Sequence, residues 1–192
     1  MSLLVRLNDC NLAPDCCQEL SRSLGFSSNE LNHLNLSDNR LKDSGIKQLC
    51  SGLLGPHCRL KTLKLNRCDL TQMSCESLAT VLSCPKSALR ELDLSDNDIE
   101  NSGVKLLSEG LGKPSCKLET LRLSFCNITE EGCEFLAKAV KSNPSHLSEL
   151  DLSYNHLGLL GVRIIHDALE EGRCELTRLQ SITTKNTGLN QD

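Results

Sequence analysis

A chain of 192 residues that is 39% apolar can bury a sizeable core, and its net charge of −4 leaves no general basic footprint for nucleic acid. Trp is absent and aromatic residues make up only 2% of the chain, so that core must be aliphatic. No window approaches the roughly 18 apolar residues of a membrane-spanning helix, and residues 1–12 hold no apolar run long enough for a secretory signal, so the expectation is an unexported, cytoplasmic chain without a membrane contact.

Cys10, Asn39, Cys68, Asn97, Cys126 and Asn155 stand 29 residues apart in unbroken succession, with Cys and Asn alternating. A fixed period between about 20 and 50 residues marks one supersecondary unit stacked many times, because no single unit buries its own apolar face. The first unit is incomplete: Val5, Leu7, Cys10 and Leu12 are in place, with Ser2 where an opening leucine belongs. The full frame, L-x-x-L-x-L-x-x-(N/C)-x-L, then recurs from Leu31, Leu60, Leu89, Leu118 and Leu147. Each frame contains a period-two alternation such as Leu63-Lys64-Leu65, the pattern of a short strand with one buried face.

Beyond each ladder residue the period becomes helical. Residues 7, 10 and 14 positions further on, from Cys17, Leu20 and Leu24 in the first unit to Val162, Ile165 and Leu169 in the sixth, fall on one stripe. Thr71 and Thr129, or Asp43 and Asn101, stand where a side-chain oxygen could cap a helix N-terminus. Repeat six carries Gly158-Leu159-Leu160 where the others have polar residues, and these leucines are expected to meet the tail or a following domain. Leu176 and Leu179 open a seventh frame that decays at Ser181, Ile182 and Thr184. The domain expectation is therefore a single unit over 1–180, with six repeats and a degenerate seventh, followed by a polar tail over 181–192. With no capping repeat before Cys10, the chain is expected to be part of a longer polypeptide.

Stacked strands repeat every 4.8 Å or so and helices every 10 Å or so, so the stack must curve into an α/β horseshoe with the parallel sheet on its concave face. The ladder Asn, which both donates and accepts, suits backbone groups left unpaired where the chain leaves the strand. Cys does this only weakly, which implies two slightly different turns.

Twelve cysteines suggest a disulfide framework until they are placed in the repeat. Cys10, Cys68 and Cys126 are ladder positions, Cys17, Cys75 and Cys133 helix-stripe positions, and Cys58, Cys116 and Cys174 recur in the return loop at steps of 58. Equivalent positions two repeats apart are roughly 10 Å apart, beyond disulfide reach, so free thiols in a reducing compartment are expected. Two glycosylation sequons, Asn35-Leu36-Ser37 and Asn127-Ile128-Thr129, then carry no meaning.

Catalytic and cofactor signals fail. Gly110-Leu111-Gly112-Lys113 resembles the end of a phosphate-binding loop, but Leu107 stands where its first glycine belongs and Pro114 where the magnesium-holding hydroxyl belongs. The five histidines form no i, i+4 pair, there is no C-x-x-C, and His57-Cys58 fits a surface loop better than a metal site. Acidic residues fall on regular exposed positions. The expectation is no enzyme and no cofactor.

Function then rests on the surface. The third, fifth and eighth frame positions point outward from the sheet, and the candidate protein-binding residues there are Lys64, Arg67, Asp93, Asp96, Arg122, Phe125, Glu149, Asp151 and Tyr154. Asp93 is expected one strand from both Lys64 and Arg122, and Arg122 one strand from Asp151, as a cross-strand ion ladder. Two of the four aromatics, Phe125 and Tyr154, share the eighth position on neighbouring repeats and should lie side by side, flanked by Arg122 and Asp151. Such a pair is either a binding hot spot or a cover for the turn beneath it.

The alternating Cys and Asn ladder, phrases such as Leu89-Arg90-Glu91-Leu92-Asp93-Leu94-Ser95-Asp96-Asn97, and return loops such as Leu54-Gly55-Pro56-His57-Cys58-Arg59-Leu60 resemble the ribonuclease-inhibitor type of leucine-rich repeat, from residue 3 to about 180. Ribonuclease inhibitor and the C-terminal regions of NOD-like receptors share that type, and Ser142-Asn143-Pro144-Ser145-His146-Leu147 with the frame that follows is similar to the receptor repeats of fish. Ribonuclease inhibitor is strongly acidic, has about twice as many repeats and grips a basic enzyme with concave Trp and Tyr; six repeats, no Trp and a mixed-sign concave face favour the receptor. The resemblance implies a cytosolic innate-immune sensor region that recognises a protein ligand or holds an ATP-binding NACHT module inactive.

Overall fold

The computed structural model describes residues 3–143, 146–171 and 178–180. Strands and helices alternate strictly: β1 (Leu3–Arg6), α1 (Cys16–Gly25), β2 (Leu31–Asn35), α2 (Lys42–Leu53), β3 (Thr62–Lys64), α3 (Cys75–Ser83), β4 (Glu91–Asp93), α4 (Glu100–Leu111), β5 (Thr120–Arg122), α5 (Glu130–Ser142), β6 (Glu149–Asp151), α6 (Gly158–Glu171) and β7 (Arg178–Gln180). The seven strands form one parallel sheet in sequence order. The molecule is an α/β leucine-rich-repeat solenoid.

Register follows the 29-residue period, so Leu34, Leu63, Leu92, Leu121 and Leu150 lie side by side across the sheet. All five are buried, and they pack with the helix stripe, of which only Leu20, Val162 and Leu169 are half-buried. Leu179 of β7 continues the row beside Leu150. The rest of the seventh frame and the tail, including Cys174, Leu176, Ser181, Ile182 and Thr184, lie outside the described residues. Leu159 and Leu160 at the start of α6 are exposed.

The Cys and Asn repeats do turn differently. Asn97 Oδ1 accepts from the N–H groups of Cys68 and Leu70 in the preceding repeat at 3.0 and 3.1 Å, and its Nδ2 donates to the carbonyls of Leu65, Leu94 and Ser95. Asn39 and Asn155 repeat the pattern. Cys offers no carbonyl oxygen; the Cys68 and Cys126 thiols can only donate, to the Leu36 and Leu94 carbonyls at 3.2 and 3.3 Å and to those of Asn66 and Ser124 at 3.6 and 3.4 Å. The backbone compensates. After Asn the chain delays its left-handed residue by two positions, to Lys42, Glu100 and Gly158 in place of Asn11, Asp69 and Asn127, and the Lys42 and Glu100 N–H groups then donate to the Cys68 and Cys126 carbonyls of the next repeat. Gly158 is therefore no irregularity but the residue best suited to that φ of 61°.

One expected cap holds. Thr71 Oγ1 accepts from the Met73 N–H, whereas Thr129 makes no side-chain cap bond. Asp43 and Asn101 do not cap their own helices, because the delayed left-handed residue places both inside the first turn. They reach sideways instead, Asp43 accepting from Thr71 N–H and Oγ1, and Asn101 bonding Thr129 at both groups.

Helices also pack in twos. A Cβ on Gly110 of α4 would stand 2.6 Å from the Ala79 carbonyl oxygen of α3, and Gly52 of α2 meets Ser21 of α1 as closely. Glycine at this position lets α2 and α4 close onto α1 and α3, and α6 closes onto α5 with Ala168 there, while α2 and α3 stand further apart. The structural unit is thus a doublet.

Candidate functional site

The concave candidates divide into a sheet-centre cluster and an edge ridge. In the cluster, register sets Lys64, Asp93, Arg122 and Asp151 in a row. The expected ion ladder along that row does not form. Arg122 instead reaches diagonally, to Glu91 at 2.5 Å and Glu149 at 3.2 Å, and Lys64 Nζ lies 3.9 Å from Glu91. The reason is side-chain length. Asp93 and Asp151 are short enough to accept from the N–H two residues on, at Ser95 and Ser153, and so close their own turns. Glu91 and Glu149 project far enough to meet the guanidinium.

Burial alone would lower the Arg122 pKa, but the Glu91 hydrogen bond and the charges of Glu149, Glu91 and Asp93 raise it above its ordinary value. Glu91 also accepts from Thr62 Oγ1 at 3.4 Å, and Thr62 bonds His33 Nδ1 at 2.9 Å. A hydrogen-bonded line thus crosses five strands from His33 to Glu149. Glu91 is its hub, a role the sequence pattern left unmarked; its third-position placement, with a longer side chain than Asp93, was the available signal.

The ridge is built by the eighth frame position. Asp9, Asp38, Arg67, Asp96, Phe125 and Tyr154 all have φ between 52° and 59°, the left-handed region entered as the chain leaves each strand. That backbone throws the side chain outward over the turn. Arg67 bridges Asp38 at 3.6 Å and Asp96 at 3.7 Å. Phe125 and Tyr154 stack with ring centroids 4.3 Å apart and planes 10° from parallel, and each is about half exposed, 51% and 50%. Arg122 pairs with the two glutamates, and Arg67, Asp96 and Phe125 line one open hollow of about 520 Å³.

Asp tolerates left-handed φ through its short polar side chain, whereas Phe and Tyr gain nothing from it and bear a cost of about 1–2 kcal/mol each. Stacking returns about 0.5–1.5 kcal/mol for the pair. The turn therefore does not account for two aromatics there.

The eleven described cysteines are unpaired. Burial pushes the thiols of Cys17, Cys50, Cys68, Cys75 and Cys126 up to about 12 and that of Cys133 to about 11, which removes thiolate at neutral pH. Among the described residues no three His, Cys, Asp or Glu side chains are grouped to hold a metal ion, and no helix is long and apolar enough to cross a membrane. The Gly110–Lys113 segment ends α4, with its Gly112 and Lys113 N–H groups donating to Ser108 and Gly110 carbonyls.

Comparison with known proteins agrees with the fold. Residues 27–50, 87–108, 115–137 and 143–163 match the family described as Leucine Rich repeat. The chain is 44% identical over 76 residues to human NACHT, LRR and PYD domains-containing protein 12, a match covering 40% of this chain and 7% of that protein. It is 45% identical over 73 residues to human NACHT, LRR and PYD domains-containing protein 3, covering 38% and 7%. It is also 45% identical over 74 residues to the ribonuclease inhibitor of Sus scrofa, covering 38% of this chain and 16% of the inhibitor. In each case the match spans only a small part of the relative.

Proposed function

We propose for this chain, which belongs to the leucine-rich-repeat proteins of the ribonuclease-inhibitor type, the role of a protein-interaction region in a cytosolic NOD-like receptor. Residues 1–180 act as one recognition domain ahead of the tail at 181–192. Its concave face recognises a protein ligand or rests against a NACHT module of the same polypeptide, and it carries out no catalysis and binds no nucleic acid. The observation that supports this most is the stacked Phe125 and Tyr154, half exposed at a backbone angle that favours neither. Exposed aromatics on the edge ridge, close to Arg67 and next to the sheet-centre cluster of Lys64, Glu91, Asp93, Arg122, Glu149 and Asp151, set apolar area beside charged groups, a combination found in protein-binding hot spots. Relatives whose names include NACHT favour the receptor setting.

The receptor reading expects a native polypeptide far larger than 21.1 kDa. An antibody to this chain that detects only a band near that mass in native tissue overturns it. Partner capture is expected to fail with Phe125→Ala and Tyr154→Ala together.

The match to the porcine inhibitor supports a second reading, block of a ribonuclease by the concave face. That reading expects stoichiometric inhibition of pancreatic ribonuclease under reducing conditions. Full ribonuclease activity at micromolar chain removes it.

A further inference from the structure

The helical face carries a feature that the repeat does not generate. At the position nine residues after each ladder residue, α1 to α3 hold Glu19, Gln48 and Ser77, while α4 to α6 hold Leu106, Phe135 and Ile164. The last three are partly buried against the core. Phe135 sits where a doublet ends, between α4 and α5, and a hollow of about 310 Å³ opens there with Phe135 on its wall.

Charge in this hollow runs against the molecule. Its lining contains Lys105, Lys113 and Lys138 against the single acid Glu109, a local balance of three minus one, on a chain of net −4. Lys105 and Lys138 each hold their ammonium 5.9 Å from the Phe135 ring centroid. Both have a carboxylate one helical turn away, Glu109 after Lys105 and Glu134 before Lys138, yet neither ammonium is paired with a carboxylate among the described residues. Helix i, i+4 pairs and exposed cation–π contacts are similarly weak, so both lysines swing to a new partner at little cost.

A second observation lies on the α4 wall. Ser108 is nine-tenths buried on the hollow's α4 wall, and its Oγ has no hydrogen-bond partner among the described residues. A buried hydroxyl left unpaired is destabilising.

We propose that the α4–α5 hollow is a docking site, separate from the concave face, for an acidic peptide segment that also carries an apolar side chain. The apolar side chain lies against Phe135, and flanking carboxylates meet Lys105, Lys138 and Lys113. Size favours a peptide: the volume is at the low end of small-ligand pockets, and the opening faces solvent between two helices. The positive patch steers an acidic segment to this spot against the net charge of the molecule, so binding weakens with salt.

The test is fluorescence anisotropy of the whole chain with a labelled short peptide of alternating Glu and Leu, beside Lys/Leu and Glu/Ser counterparts. Saturable, salt-sensitive binding of the Glu/Leu peptide alone is expected. The exposed charge reversals Lys105→Glu and Lys138→Glu together should weaken it by more than about tenfold, with the thermal transition unchanged, and Glu109→Lys should strengthen it. No saturable binding, equal binding of the Glu/Ser peptide, or indifference to both charge changes overturns the proposal. Loss of binding through Phe125→Ala with Tyr154→Ala also overturns it and places the peptide on the concave face. Retention by phosphatidylserine vesicles in preference to the peptide overturns it in favour of a lipid surface.

Discussion

Asn97 and Asp96, or Asn155 and Tyr154, are neighbours in one turn and answer to different demands. The ladder asparagines are buried, and each makes every hydrogen bond its amide can offer, so the fold explains them completely. The ridge residues share one left-handed backbone angle but vary from Asp to Arg to Phe to Tyr, and all but the half-buried Asp96 are exposed. A residue type that recurs because it closes the turn is structural. One that changes while the turn stays constant, against the preference of the turn itself, is where function is to be sought.

The largest way to break the buried side of this comparison is alkali. Six thiols have folded pKa values raised from 9.0 to about 11 or 12 by burial, so the unfolded chain releases protons first as pH rises. Their contribution to stability is complete below pH 9 and is lost between pH 9 and about 12. Urea midpoints measured across that range should fall steeply, while native alkylation at neutral pH reaches exposed Cys10 first, with half-buried Cys16, Cys58 and Cys84 behind it.

Asn97→Ala comes next. It strands the Cys68 and Leu70 N–H groups and three carbonyls, at a cost of about 3–5 kcal/mol in urea denaturation. Asn39→Ala should cost less, since its partners Cys10 and Leu12 are closer to solvent. Gly110→Ala drives a Cβ to 2.6 Å from Ala79 O and should cost about 1–3 kcal/mol by separating α3 from α4. Arg122→Met leaves Glu91 and Glu149, two strands apart and half-buried, without the cation they share and should cost about 1–2 kcal/mol, with a penalty that shrinks in high salt.

How much of this was legible follows from what the period controls. Backbone placement obeys it, so the strands, the helix stripe, the outward positions and the contact of Phe125 with Tyr154 could be counted from the ladder residues. Two kinds of feature escaped. Ion pairing depends on side-chain reach, which sent Arg122 to Glu91 and Glu149 rather than to the aspartates in register with it. Capping depends on where the left-handed residue falls, and its two-residue delay after Asn moved Asp43 and Asn101 out of the capping position and into contact with the next repeat. The alternation of Cys and Asn signalled two turns, but not which backbone group each would satisfy.

The most direct test is the stability of Phe125→Asn with Tyr154→Asn, measured by urea unfolding beside the unchanged chain. Asn is at ease in the left-handed region, so relief of about 1 kcal/mol at each site offsets the lost stacking. The double variant is expected to be as stable as the original or more stable by up to about 1 kcal/mol. A loss of more than about 2 kcal/mol would mean that the aromatic pair is a cover the turn requires, and would contradict its assignment as a binding surface.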